Sequence, residues 1–126
     1  KFMCSPAPRG AEEHARVWDR IRRGTLDVVS SDHCGFTYEG TRGKAVNGRD
    51  APFRDIPNGI PGIAARLPIV FSEGVMKGRI TLEQFVALVS TNPARIMGLA
   101  PRKGMIQPGA DADLVLWDPY LKQVLT

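Results

Sequence analysis

The stretch LDVVSSDHCGF, residues 26–36, runs from strand-forming apolar residues directly into an acid, a histidine and a cysteine. Its first part is short and rich in β-branched residues, which predicts a buried strand over Leu26–Ser31. An acid at the carboxyl end of such a strand, where a long loop begins, stands where α/β barrel enzymes carry catalytic residues. Asp32 is therefore a candidate catalytic residue, although the capping of a turn explains it equally well from the sequence alone.

The residues before this strand predict a helix. In GAEEHARVWDRIRR, residues 10–23, apolar side chains such as Trp18 and Ile21 recur at helical spacing. Gly24 follows as the expected C-terminal stop. A helix, a tight turn and a strand in this order are typical of an α/β unit, so the predicted fold class is α/β.

A long loop is predicted to follow the strand. Residues 35–62 are dense in Gly, Pro, Asn and Asp and show neither helical nor strand periodicity. Loops of such length inside compact domains are uncommon and usually functional. The next segment, IAARLPIVFSEGV over residues 63–75, favours a helix that Pro68 can interrupt.

Two further motifs extend the helical region to about residue 98. In ITLEQFVALVS, Thr81 and Gln84 have the spacing of a capping box. In TNPARIMG, the pattern predicts Asn92 as a cap, Pro93 at the first helical position and Gly98 at the end. Helices therefore dominate this part of the chain.

The composition changes in the tail, residues 103–119. KGMIQPGADADLVLWDP, residues 103–119, combines turn residues with the strand-like run Asp113–Trp117. The sequence therefore predicts short β-structure after the α/β part.

Composition excludes several classes of protein. The 43% hydrophobic and 24% charged fractions are those of a globular chain. No apolar run approaches the ~18 residues that cross a bilayer. The net charge of +4 is a weak sign of a nucleic-acid partner, because the arginines near residue 20 alternate with acids at helical spacing. Cys4 and Cys34 are too few for a disulfide framework, so we expect reduced thiols and a cytoplasmic location, with one disulfide left open.

The residues beside Asp32 are weaker candidates. Neighbours on an extended chain point to opposite sides, which favours a structural or supporting role for His33. Cys34 is expected to be an inert thiol, and His14 to be a surface residue of the first helix. A catalytic zinc usually has three protein ligands, and the chain has only 2 histidines. If Asp32 binds a metal, the other ligands must come from elsewhere.

Four motifs together resemble a known family. They are SSDHCGF from Ser30, IPNGIPGIAARLPIVFSEGV from Ile56, STNPARIMGL from Ser90 and KGMIQPGADADLVLWDP from Lys103. In this order they resemble the C-terminal portion of a cyclic amidohydrolase of the dihydropyrimidinase and hydantoinase type. MCSPAPR, from Met3, is similar to the family segment SPPLR.

The resemblance implies a fold. The family has a (β/α)8 TIM-like barrel with a small β-sandwich domain, and Leu26–Ser31 would be the last barrel strand. Residues 1–100 would be the C-terminal segment of the barrel with its outer helices, and residues 101–126 would be strands of the sandwich. The chain would then be incomplete as a stand-alone barrel.

The resemblance also implies a site. Asp32 would bind one of two zinc ions and act as the general base, taking a proton from the attacking hydroxide and delivering it to the departing ring nitrogen. An HxH pair, a carboxylated lysine and two further histidines, the other ligands of the family, do not occur in this chain. Ser5 and Asn58 would bind the cyclic amide or imide edge through backbone groups, although turn chemistry alone also explains Asn58.

The implied function is hydrolysis of the ring amide of dihydropyrimidines or 5-substituted hydantoins to N-carbamoyl amino acids. With one metal ligand, the isolated chain is expected to be inactive. The resemblance further implies a homo-oligomer, a tetramer in the full-length family, with no nucleic-acid or membrane partner. The alternative is a non-catalytic relative similar to the collapsin-response mediator proteins. Asp32 favours the enzyme, because those relatives lack this acid.

Overall fold

The structure, a computed structural model, describes residues 2–122 and residue 124. Its regular elements are helical: α1 (His14–Arg22) after the 3₁₀ turn Ala11–Glu13, a 3₁₀ turn at Phe53–Asp55, α2 (Ile63–Ile69) continued by the π-helical turn Val70–Val75, and α3 (Leu82–Val86) joined through the π-helical turn Ala87–Thr91 to α4 (Asn92–Ile96). None of these helices is long and apolar enough to cross a membrane.

The first helix ends where the sequence predicts. Its last turn closes when Gly24 donates to the Ile21 carbonyl and Thr25 donates to the Arg20 carbonyl, both at 3.0 Å. This pair of bonds requires a left-handed residue, and Gly24 has φ of 71°. The predicted stop is confirmed.

The predicted capping box is also confirmed. Thr81 Oγ1 accepts a hydrogen bond from the Gln84 backbone at 3.2 Å, and Gln84 Oε1 accepts one from the Thr81 backbone at 3.0 Å. The prediction of Asn92 as a cap is wrong, because the chain is already helical before it. A wider π-helical turn leads into Pro93, and Asn92 Nδ2 instead donates to the Asp27 carbonyl at 2.9 Å.

The predicted strand over Leu26–Ser31 does not form as a strand, and the described residues contain no strand at all. A strand needs a neighbouring strand to pair its backbone, and no such strand lies among the described residues. The Val29 amide donates to the Leu88 carbonyl at 3.2 Å, and Arg66 Nη1 donates to the Val29 carbonyl at 2.8 Å. The segment therefore lies between α2 and the 82–96 helical region.

The strand predicted at Asp113–Trp117 is also absent. Trp117 instead packs its ring against Phe71 at 5.0 Å and Phe85 at 5.7 Å, measured between ring centroids. The residues between Asp113 and Trp117 are exposed, with Leu116 at 101%. Trp117 therefore attaches this run to the core through its ring contacts rather than through a backbone ladder.

The core gathers side chains from α1, α3, the two π-helical turns and the bend before α3, namely Ile21, Val70, Phe71, Ile80, Phe85 and Leu88. Phe71 and Phe85 meet edge to face with ring centroids 5.4 Å apart. Val29 packs against this cluster, which anchors the segment that ends at Asp32. As predicted, residues 35–62 form a long loop, interrupted only by the 3₁₀ turn and a single parallel bridge between His33 and Ile60.

Candidate active site

An open cavity of about 450 Å³ lies where three stretches of chain meet. It is lined by residues 4–6, by Ser31, Asp32 and Cys34, and by residues 58–62. The three residues predicted from the resemblance as site residues, Ser5, Asp32 and Asn58, all line it. The structure therefore brings them together, and their chemical roles stay predictions.

Backbone hydrogen bonds join the three stretches. The Cys34 amide donates to the Ile60 carbonyl at 3.1 Å, and the Gly59 amide donates to the Met3 carbonyl at 3.1 Å. Gly59 is buried with φ of 145°, and an added Cβ would lie 2.6 Å from both the Cβ and the carbonyl oxygen of Cys34. Only glycine allows this close approach.

Asp32 presents a free carboxylate to the cavity. It is exposed, and within the described residues its side chain makes no hydrogen bond or ion pair. A carboxylate in this state can accept a proton or bind a cation. No group of three or more His, Cys, Asp or Glu side chains arranged to hold a metal occurs in the described part of the chain. The donor set thus fits one ligand of a metal centre and not a complete centre.

His33 makes a structural contact instead of presenting a free side chain to the cavity. Its Nδ1 accepts hydrogen bonds from the backbone amides of Gly62 at 3.1 Å and Ile63 at 3.3 Å. These amides belong to the first turn of α2, where backbone donors lack partners within the helix. His33 therefore anchors α2 beside the cavity, in agreement with the supporting role that the sequence favoured.

Ser5 and Asn58 leave their polar groups available. Both residues are exposed, and neither their side chains nor their backbone groups make a hydrogen bond within the described residues. Backbone donors and acceptors with fixed directions suit a planar ring that carries alternating N–H and C=O groups. Cys4 and Cys34, which also line the cavity, are free thiols in the structure.

Lys44 lies beside the cavity and was not predicted from the sequence. This residue is 6% exposed, and its ammonium donates to the Met3 carbonyl at 2.6 Å and to the Pro57 carbonyl at 3.0 Å. Lysine in a polar loop is usually solvated, so the loop sequence carried no signal for burial. The contacts place Lys44 directly beneath the cavity's walls.

The groups with shifted pKa values lie outside the cavity. Hydrogen bonds from Arg23 and Arg22 lower the pKa of Asp19 on α1. Hydrogen bonds that Lys103 donates to the carboxylates of Asp113 and Asp111 raise the pKa of Lys103 in the tail. These exposed clusters concern stability rather than the cavity.

The chain is similar in sequence and in fold to known hydantoinases. The D-hydantoinase of Rhizobium radiobacter is 45% identical over 125 residues, covering 99% of this chain and 26% of the relative. The solved D-hydantoinase from Bacillus sp. AR9 superposes with a TM-score of 0.82 at 44% identity, over 90% of this chain and 24% of that one. Dihydropyrimidinase from Brevibacillus agri gives a TM-score of 0.81 at 43% identity, over 89% and 23%.

The chain thus spans about a quarter of the length of these relatives, 26% for the first, and corresponds to one part of hydantoinase TIM-barrel enzymes. The model of the amidohydrolase family matches residues 4–126. The chain belongs to the amidohydrolase family.

Proposed function

We propose that this chain forms part of the catalytic barrel of a cyclic amidohydrolase that opens dihydropyrimidines or 5-substituted hydantoins to N-carbamoyl amino acids. The observation that carries the proposal is the convergence of Ser5, Asp32 and Asn58 on one cavity. The match to the amidohydrolase family and the hydantoinase names of the relatives support the same reaction class.

Asp32 would contribute one ligand to a binuclear zinc centre, and the full-length protein would supply the others from outside this chain. Zinc, when bound, supplies Lewis-acid polarisation of a carbonyl and brings the pKa of bound water to about 7. The free carboxylate of Asp32 at the cavity wall supports this assignment.

Asp32 would also move the proton. Water attacks the ring carbonyl carbon, Asp32 accepts the proton that the water loses, and the C–N bond of the ring breaks. Asp32 then delivers the proton to the departing nitrogen. A positioned acid–base group of this kind contributes typically about 10²–10⁴-fold in rate.

Ser5 and Asn58 would hold the ring. Their unpaired backbone groups lie at the same cavity as Asp32, so a planar amide edge bound between them would present its carbonyl near the carboxylate. Binding through fixed backbone groups would orient the ring before attack, which lowers the entropic part of the barrier.

The isolated chain is proposed to be inactive, because Asp32 is the sole candidate ligand at the cavity among the site residues. A cytoplasmic homo-oligomer is a further proposal, and the exposed apolar residues Leu114, Val115 and Leu116 support self-association. The relatives reported above carry enzyme names, and nothing in them favours the non-catalytic assembly protein.

A chimera tests the proposal. This chain replaces the matching segment of the Rhizobium radiobacter D-hydantoinase, and ring opening of a 5-substituted hydantoin and of dihydrouracil is measured with zinc present. We expect turnover by the chimera and a loss of about 100-fold or more for Asp32→Asn. Asp27→Asn, a nearby exposed acid outside the cavity, is the matched control and should retain turnover.

Three results would contradict the proposals. Full turnover by the Asp32→Asn chimera would remove Asp32 from the reaction. A chimera that is folded by circular dichroism and loaded with zinc, yet opens neither ring, would refute the substrate class. Ring opening by the isolated chain that depends on Asp32 would contradict its proposed inactivity.

A further inference from the structure

Lys44 is the charged residue that the described part of the chain buries, with 6% of its surface exposed. Burying an ammonium group is costly unless its hydrogen bonds are replaced within the protein. Here dipoles replace them, since Nζ donates to the Met3 and Pro57 carbonyls and lies 5.7 Å from the centroid of the Phe36 ring. A ring face attracts a cation at this distance.

These three partners lie next to the three stretches that form the cavity. Met3 immediately precedes the stretch 4–6, Pro57 immediately precedes the stretch 58–62, and Phe36 follows Cys34 by two positions. One ammonium group therefore contacts a residue beside each of the three stretches. It does so without lining the cavity itself.

The lysine is held in place by its own backbone. Its amide donates to the Thr37 carbonyl at 2.9 Å, and the next amide, of Ala45, donates to the Tyr38 carbonyl at 2.9 Å. The loop around Lys44 is thus a closed turn, so the side chain projects from a fixed base. A side chain must project from a fixed backbone in order to set the distance between other segments.

The Met3 carbonyl is shared by two donors, Lys44 Nζ and the Gly59 amide. A carbonyl oxygen has two lone pairs and can accept both bonds. For the Pro57 carbonyl, in contrast, Lys44 is the hydrogen-bond partner within the described residues. Loss of the ammonium would leave this carbonyl unpaired and weaken the bond between Met3 and Gly59.

We propose that Lys44 is a positioning residue that sets the spacing of the two backbone segments carrying Ser5 and Asn58. Its substrate-binding consequence rests on the proposed function, whereas the spacing itself does not. Lys44 donates to residues close to Ser5 and Asn58 in the sequence and, within the described residues, has no hydrogen bond to Asp32. It therefore governs affinity for the ring more than the chemical step.

The first experiment measures the spacing in the 126-residue chain. Amide hydrogen exchange of Gly59, followed by NMR, is compared between the unaltered chain, Lys44→Met, Lys44→Arg and the surface control Lys77→Met. Gly59 should exchange about tenfold faster or more in Lys44→Met, the size of a lost hydrogen bond from a charged donor. Lys44→Arg keeps donors for both carbonyls and should restore part of the protection.

The Phe85 amide, which donates to the Thr81 carbonyl at 3.0 Å, is the internal reference for global stability. Unchanged exchange of Gly59 in Lys44→Met overturns the proposal. Equal acceleration of Gly59 and Phe85 also overturns it, since Lys44 would then stabilise only the fold as a whole.

The second experiment uses the chimera described above. Lys44→Met should raise KM about tenfold or more and leave kcat within about twofold, whereas Lys44→Arg should recover much of the affinity. Lys77→Met should change neither constant. A fall in kcat at constant KM would contradict substrate positioning. If the chimera with Lys44 intact opens neither ring, the proposed function fails, and Gly59 exchange still decides the spacing role.

Discussion

Substitution of Gly59 by alanine tests how closely the cavity walls are packed. The added methyl would lie 2.6 Å from the Cβ and carbonyl oxygen of Cys34 and 2.9 Å from its Sγ. The carbonyl is backbone, so it cannot turn aside as a flexible side chain would. Either the His33–Ile60 bridge opens or the Gly59 amide leaves the Met3 carbonyl.

The magnitude follows from two additive costs. An alanine forced to φ of 145° lies in a region essentially restricted to glycine, which costs about 1–3 kcal/mol. Overpacking against Cys34 adds about 1–3 kcal/mol. We therefore expect the free energy of unfolding to fall by about 2–6 kcal/mol, a large part of the ~5–15 kcal/mol that stabilises a typical domain.

The control is Gly109→Ala. Gly109 also has a positive φ, 87°, but nothing lies within 4 Å of a Cβ built there, so this variant has only the backbone cost. Urea unfolding followed by circular dichroism gives both values. Equal losses of stability in Gly59→Ala and Gly109→Ala would refute the close approach of Gly59 to Cys34.

Two further predictions concern the tail and the first helix. Trp117→Ala should lower the free energy of unfolding by less than the ~3–5 kcal/mol of a fully buried tryptophan, because Trp117 is 38% exposed. Urea unfolding measures this change. A loss no larger than that of the exposed Tyr120→Ala would contradict the packing of Trp117. Hydrogen bonds from Arg23 and Arg22 lower the pKa of Asp19 from its ordinary 3.8, so its contribution to stability is present above pH 3.8 and is lost as the pH falls through the lowered pKa. Asp19→Asn should therefore flatten the acid limb of stability against pH, and an unchanged limb in thermal melts would contradict the ion pairs.

The helix boundaries were predictable because local residues decide them. Gly24 supplies a left-handed residue at the end of α1, and Thr81 with Gln84 satisfies the first amides of α3. In both cases the hydrogen-bond partners lie within a few positions of each other, so residues close together in the sequence make the whole interaction.

The strand predictions failed because a strand depends on a distant partner. The composition of Leu26–Ser31 is that of a buried strand, yet its backbone bonds to Leu88 and Arg66 on helical segments. Asn92 was misjudged for the same reason, since its amide group bonds to the Asp27 carbonyl far along the chain. In each case the outcome depends on residues far away in the sequence and not on local preference alone.

By itself, the sequence determined the end of α1, the start of α3, the long loop and, through its motifs, the family and the candidate residues Ser5, Asp32 and Asn58. The tertiary structure alone decided that these three residues share one cavity, that Gly59 must be glycine and that Lys44 is buried beneath the cavity. The physical reason is the separation in sequence between the residues that interact. Caps and turns are settled by bonds between near neighbours, whereas a cavity and a buried charge exist only when segments far apart in the chain meet.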